Sequence, residues 1–304
     1  VVNVHFRTDI ALEHCEYLRQ RSQDTLAGVD IRTETDEANG ITTTWVEIIN
    51  DAGAAHIGKP VGNYITLECE AMKAAEPEIH EEISRLLAWK MGALFPLPDE
   101  ATILVVGLGN WLVTPDALGP QVCEKMLVTR HLAADMPDEL VGRVRNVCAL
   151  RPGVMGLTGI ETAEIVLGVA DRVKPDLIVA VDALAARSTA RINSTIQLTD
   201  TGINPGAGLG NKRTPINNES VGVPVIGLGV PTVVSAATLV HDTMDGYADD
   251  ETIGAHIAAH AANFFVTPKD VDAVVMRLAR IIANALNMAL HPGISAEDVN
   301  RYLG

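Results

Sequence analysis

ILVVGLGNWLVTPDALGP at 103–120 and DLIVAVDALAARS at 176–188 decide how this chain is read. In each, a run of aliphatic residues breaks on an acid, Asp116 in the first and Asp182 in the second. A short apolar run closed by turn residues is the pattern of a strand buried on both faces. In open α/β sheets the crevice beyond the carboxyl ends of such strands is where ligands bind. Two acids delivered there can face each other and activate water. Their separation, 182 − 116 = 66 residues, fits one crossover plus a hairpin or irregular segment.

The flanking sequence extends this pattern. Strands are expected at 103–109, 177–182 and 223–229, with helices at 116–131 and 159–173. The alternation predicts an α/β fold, a three-layer sandwich with a largely parallel central sheet. The segment 267–291 opens with Thr-Pro and repeats apolar residues at helical spacing, so a long covering helix is expected there. The first part of the chain is more charged and supplies β-rich additions. TTTWVEII at 42–49 and NYITLECE at 63–70 read as strands, 50–63 as a turn, 76–94 as a helix and HDTMDGYADDETIG at 241–254 as an exposed loop. The expected layout is a single domain over 10–304, with an N-terminal β-rich and helical part at 10–100 and the core at 101–304.

Composition narrows the function classes. A chain of 304 residues that is 47% hydrophobic can build a sizeable core. The net charge of −16 opposes direct binding to nucleic acid, which requires a surplus of Lys and Arg on one face. The apolar run at 221–240 is interrupted by Gly, Pro, Ser and Thr, and the first residues lack a secretion signal pattern, so no membrane association is expected. Cys15, Cys69, Cys123 and Cys148 lie far apart without a C-x-x-C pair, as expected of reduced cytoplasmic thiols.

Each candidate site has a plainer reading beside it. GLGN at 107–110 follows a strand, but the dinucleotide fingerprint needs Gly at 112, where Leu112 stands. Asp116 in TPDALGP suits a helix cap, and Asp182 suits a strand-end turn. His256 and His260 have metal-ligand spacing, yet Ile257 replaces the Glu of the zinc-protease motif, so they read as solvated helix histidines. The G-x-S-x-G elbow of serine hydrolases is absent.

Several longer segments change the balance. VVGLGNWLVTPDALGP at 105–120, RPGVMGLTGIET at 151–162, AVDALAARS at 180–188, TDTGINPGAGLGNKR at 199–213 and IGLGVPTVV at 226–234 together resemble the spore germination protease family. FRTDIALE at 6–13 and VTPKDVD at 266–272 carry the resemblance across almost the whole chain. It implies an endopeptidase that degrades small acid-soluble spore proteins during germination, located in the cytoplasm of the forespore and the spore core. It also implies a zymogen, a homotetramer and a fold like that of hydrogenase maturation proteases. Asp116 and Asp182 occupy the positions of the family's two proposed catalytic aspartates. Gly109, Asn110, Thr158, Glu161, Lys212 and Arg213 stand in the matching loops and become substrate-loop candidates. The chain is shorter than the family pattern around 241–265.

Two adjacent carboxylates cannot both ionise easily, so one is expected to hold a proton while the other activates water. Both sites read D-A-L and lack the D-T-G of pepsin-like enzymes, so any analogy to those enzymes is chemical. No cofactor and no metal are expected. The competing readings are a metal-dependent peptidase using the same acids as ligands, and a non-enzymatic nucleotide-binding module. Family substrates are cut after an acidic residue that precedes a large apolar residue and Ala. Thr8-Asp9-Ile10-Ala11 reproduces that setting, so residues 1–9 are expected to be a propeptide removed at Asp9–Ile10, with Asp9 alternatively capping a short helix at 10–20.

Overall fold

A computed structural model describes residues 8–21, 26–132, 136–138, 140–207, 210, 213–244, 260–261, 264–295 and 297–298. The strands are β1 (Val29–Asp36), β2 (Ile41–Ile48), β3 (Gly62–Glu68), β4 (Thr102–Gly107), β5 (Asn146–Leu150), β6 (Leu177–Ala186), β7 (Thr195–Thr199), β8 (Val225–Ser235) and β9 (Phe265–Val266). The helices are α1 (Ala11–Arg21), α2 (Asp51–Ile57), α3 (Pro77–Leu94), α4 (Leu118–Glu124), α5 (Met155–Thr158), α6 (Thr162–Val173), α7 (Asn218–Val221), α8 (Ala236–Met244) and α9 (Val271–Leu290).

One sheet runs β1-β2-β3-β7-β8-β6-β4-β5, with β9 on β8. The α/β sandwich is therefore present, and its sheet is mixed. Parallel pairing is confined to β5-β4-β6-β8, while β1, β2, β3 and β7 add antiparallel strands on the other side. The antiparallel part contains the β-rich N-terminal addition.

Alternation along β6 explains where the acid goes. Leu177, Val179 and Val181 enter the large core beneath α3, α4 and α9. Ile178 and Ala180 face the opposite core with α6, and Leu184 meets a third cluster containing Ile10, Leu12 and Tyr64. Asp182 shares the second face and falls on the seam between those two smaller cores. The α9 helix is long and apolar enough to cross a membrane by length and composition, but here it is a core element, with Val274, Val275, Leu278, Ile281, Ile282 and Leu286 buried.

Several boundaries differ from expectation. The segment read as a turn at 50–63 contains α2: Asn50 caps it by accepting from the Gly53 N–H at 3.1 Å, and Gly58 closes it at φ 71°. The Gly and Asn density there belongs to helix ends. The helix expected over 116–131 shortens to α4, because the chain beyond it bonds to α9 instead. Asn287 accepts from the Leu127 N–H at 2.9 Å and donates to the Lys125 carbonyl at 3.1 Å. Helix α6 starts at Thr162 after the separate turn α5, and α9 starts at Val271. The Thr267 hydroxyl, expected to cap α9, donates to the Thr232 carbonyl at 2.8 Å. Residues 236–244 are helical where a loop was expected from 241, and His256 with the rest of 245–259 lies outside the described residues. Strands β1, β5, β7 and β9 were not expected.

Candidate active site

Strand β4 ends at Gly107, and the next residues fold back so that α4 begins against the strand ends. A Cβ on Gly107 would lie 2.2 Å from the Gly119 carbonyl oxygen, and one on Gly119 would lie 2.4 Å from the Leu108 and Val181 carbonyl oxygens. The contact is possible only between glycines. It seats a short 3₁₀ turn, Thr114–Asp116, above the end of β6. The Thr232 hydroxyl of β8 ties that turn down by donating to the Pro115 carbonyl at 2.6 Å.

Asp116 and Asp182 line the same cleft, together with Leu108, Gly109, Gly153, Val154, Met155, Thr162, Ala183 and Arg213. Asp116 is partly buried and accepts from the Asn110 N–H at 2.8 Å. Gly109, at φ 110°, passes so close that a Cβ would overlap the Asp116 carbonyl oxygen. Gly109 and Asn110 thus shape the acid's pocket, which accounts for GLGN without a nucleotide. Asp116 does not cap α4, whose N-cap residue is Ala117.

Asp182 is buried, and its carboxylate accepts from the Ala183 N–H at 2.9 Å. Burial, then the Asp116 charge and then the Asp9 charge push its pKa well above the ordinary carboxylate value. Burial also raises Asp116, opposed by the Asn110 N–H. Both shifts are upward, and the stronger elevation falls on Asp182, the more deeply buried of the two.

The loop candidates divide. Arg213 lines the cleft, with Glu161 at 3.5 Å and the Met155 sulfur at 3.2 Å. Glu161 is outside the cleft lining and reaches it only through this contact with Arg213. Thr158 is exposed and folds its hydroxyl into a local turn with Val154 and Ile160, away from the cleft lining. Lys212 lies outside the described residues. Among the described residues there is no group of three or more His, Cys, Asp or Glu side chains placed to hold a metal ion.

Asp9 and Ile10 dock beside this site. Asp9 donates its N–H to the Ala185 carbonyl, and its carboxylate accepts the Ala185 N–H, both at 2.9 Å. The β6–β8 register shifts between Leu184 and Ala185, the kind of bulge that turns strand peptide groups toward a new partner. Ile10 is fully buried. Glu13 anchors the start of α1: it accepts from the N–H groups of Arg187 at 2.6 Å and Ser188 at 2.8 Å, and from the Thr8 hydroxyl. Asp9 also borders a second cavity lined by Lys59, Tyr64, Leu184, Gln197, Thr199 and Gly229, of which Lys59 and Gln197 carried no sequence motif.

A sheet covered on both faces, with two carboxylates lining one strand-end cleft, places the chain in the class of α/β proteins whose ligand crevice is acid-lined. Comparison with known proteins narrows that class. The model of the germination protease family matches residues 7–248 and 249–303. The germination protease of Clostridium perfringens is 43% identical over 321 residues, covering 98% of each chain. That of Caldanaerobacter subterraneus subsp. tengcongensis is 41% identical over 327 residues, covering 100% of this chain and 99% of its own. That of Bacillus cytotoxicus is 38% identical over 356 residues, covering 97% and 96%. The chain belongs to the germination protease family and is a protease of spore germination. The family match divides at 248/249, inside the stretch where this chain is expected to be short. Among solved structures, the NiFe hydrogenase maturation protease HycI from Thermococcus kodakarensis KOD1 aligns over 61% of this chain and 92% of its own, at 20% identity and a TM-score of 0.33.

Proposed function

We propose that this protein is the endopeptidase that starts the degradation of small acid-soluble spore proteins, and that Asp116 and Asp182 activate the attacking water. The observation that carries this reading is the shared cleft of the two acids, one of them buried and held toward its protonated form. Asp116, the more accessible, serves as general base and takes a proton from water. Asp182 holds its proton against the substrate carbonyl and then passes it to the departing amine. Arg213, at the rim, suits a substrate with an acidic residue before the cut.

The same chemistry would serve a zymogen that removes residues 1–9 by cutting Asp9–Ile10; Asp9 is docked on β6 at Ala185, three residues beyond Asp182, and its charge acts on Asp182. The family assignment favours a homotetramer acting in the forespore and spore core. Closed symmetric assemblies are the usual outcome for soluble oligomers, and a monomer mass by light scattering at micromolar concentration rejects the tetramer.

Asp116→Asn and Asp182→Asn, made separately, test the acid pair against a purified spore-protein substrate. Each lowers turnover about 100- to 10,000-fold, the range of a lost general acid or base. Near-normal turnover in either variant sinks the mechanism. Dialysis against chelator leaves the rate unchanged for an acid pair, whereas loss restored by added metal identifies the acids as ligands. N-terminal sequencing after incubation at mildly acidic pH is expected to find Ile10 as the new terminus, except in the Asp116→Asn chain.

A further inference from the structure

The peptide at Asp9–Ile10 is gripped at its carbonyl. Its carbonyl oxygen, on Asp9, accepts from the Lys59 ammonium at 2.9 Å and from the Gln197 side-chain amide at 3.1 Å. The oxygen of the same Gln197 amide accepts from the Ala11 N–H at 2.7 Å, two residues further along. The amide of Gln197 therefore bonds the chain on either side of Ile10, as a neighbouring strand would. Thr8 completes the hold, its hydroxyl accepting the Ile10 N–H at 3.0 Å.

The sheet brings this grip and the acids onto one face. Gln197 of β7 and Asp182 of β6 both register with Gly229 of the intervening β8. Residues directly paired across strands project to the same side, so both side chains rise from one row, about 10 Å apart at two strand spacings. Between them Gly229 has no side chain. A Cβ there would lie 2.6 Å from the Leu184 side chain and 2.7 Å from the Asp182 carbonyl oxygen, so Leu184 packs directly over the glycine between the two rows. Lys59 enters the same cavity from the segment after α2.

Resting on the self-cleavage reading above, we infer that Lys59 and Gln197 form the oxyanion hole for hydrolysis of the Asp9–Ile10 bond. Water adds its oxygen to the Asp9 carbonyl carbon and yields a proton to Asp116. The carbonyl π electrons move onto the oxygen between Lys59 and Gln197, where a cation and an amide N–H stabilise the new charge. Collapse re-forms the carbonyl and breaks the C–N bond, and the Ile10 nitrogen takes the proton held by Asp182. The new Asp9 carboxylic acid returns a proton to Asp182 and Asp116 passes its proton to the Ile10 amine, so the products are an Asp9 carboxylate beside Lys59 and an ammonium terminus at Ile10, with the acid pair restored. Nothing beyond water is consumed.

The test follows release of residues 1–9 by intact mass in freshly purified wild type, Lys59→Met, Lys59→Gln and Gln197→Glu, with thermal melts to confirm folding. Gln197→Glu is the discriminating variant. A carboxylate still accepts the Ala11 N–H but cannot donate to the Asp9 carbonyl, so a purely anchoring role keeps the rate and an oxyanion role loses it. The expected result is processing about 100-fold slower in Lys59→Met and Gln197→Glu, the cost of removing one such donor, with Lys59→Gln between them and wild type. Folded Lys59→Met or Gln197→Glu protein that processes at the wild-type rate overturns the inference and leaves self-cleavage standing. A wild-type chain that never cuts at Asp9–Ile10 overturns both. Should Lys59→Met fail to fold, Lys59→Gln and Gln197→Glu decide alone.

Discussion

Asp182 sits where a folded protein gains nothing by having an acid. Its pKa is raised above the ordinary 3.8 by burial, then by Asp116, then by Asp9. A raised carboxylate contributes stability that is present below the unfolded value and lost as pH climbs through the folded one. Asp182→Asn is therefore expected to raise Tm at pH 7 while lowering turnover, with the gain in Tm shrinking toward pH 3. Equal or lower Tm at pH 7 contradicts the assigned burial. On the proposed roles, with Asp116 ionised and Asp182 protonated, the rate is expected to trace a bell as the coupled pair titrates. Both shifts are upward, so both limbs lie above those of two ordinary aspartates. A profile flat from pH 4 to 8 removes these roles. The two acids were legible in the sequence because each ends an aliphatic run. Lys59 and Gln197 were not, since their meaning comes from residue 9 docking on them across long stretches of chain.

At the scale of elements, the site depends on how closely α4 approaches β4. Gly107 and Gly119 let backbone meet backbone, and no flexible side chain can yield to an added methyl. Gly119→Ala must push α4, and with it the Thr114–Asp116 turn, outward by roughly 1 Å, a misplacement that costs about 100-fold in rate. The expected signature is a fall in kcat larger than any change in KM, in protein that still melts cooperatively. Wild-type kcat in this variant refutes the positioning role. The glycines were visible beforehand as a strand-turn-helix signal, but the end of α4 was not. Local propensity carried the helix on to 131, and only the Asn287 bonds to Lys125 and Leu127 explain its early stop. Similarly, β5 and β7 are short strands whose identity depends on their neighbours in the sheet.

For the whole molecule, a buried histidine at the end of α9 contributes to acid stability. His291, at the end of α9, is fully buried, and its Nε2 donates to the Leu127 carbonyl at 2.9 Å. Among the described residues its Nδ1 has no hydrogen-bond partner. Burial above all, with a contribution from the nearby Arg145 charge, lowers its pKa from 6.5 to about 4 against the opposing bond to Leu127. A depressed histidine supports the fold fully above its unfolded value and progressively less as pH falls from 6.5 toward 4. At about 1.4 kcal/mol per unit, the loss is on the order of 3 kcal/mol, a large share of the 5–15 kcal/mol that holds a domain together. His14 titrates the same way, lowered to about 4 chiefly by burial, so the two add to one acid limb. His291→Gln keeps a donor for the Leu127 carbonyl and removes the titration. Urea unfolding of the wild type is expected to weaken between pH 6.5 and pH 4 with His291→Gln losing roughly 3 kcal/mol less over that interval. Parallel loss in both proteins would mean that His291 is already charged in the folded state, and that the packing of α9 against the 125–129 segment tolerates the charge.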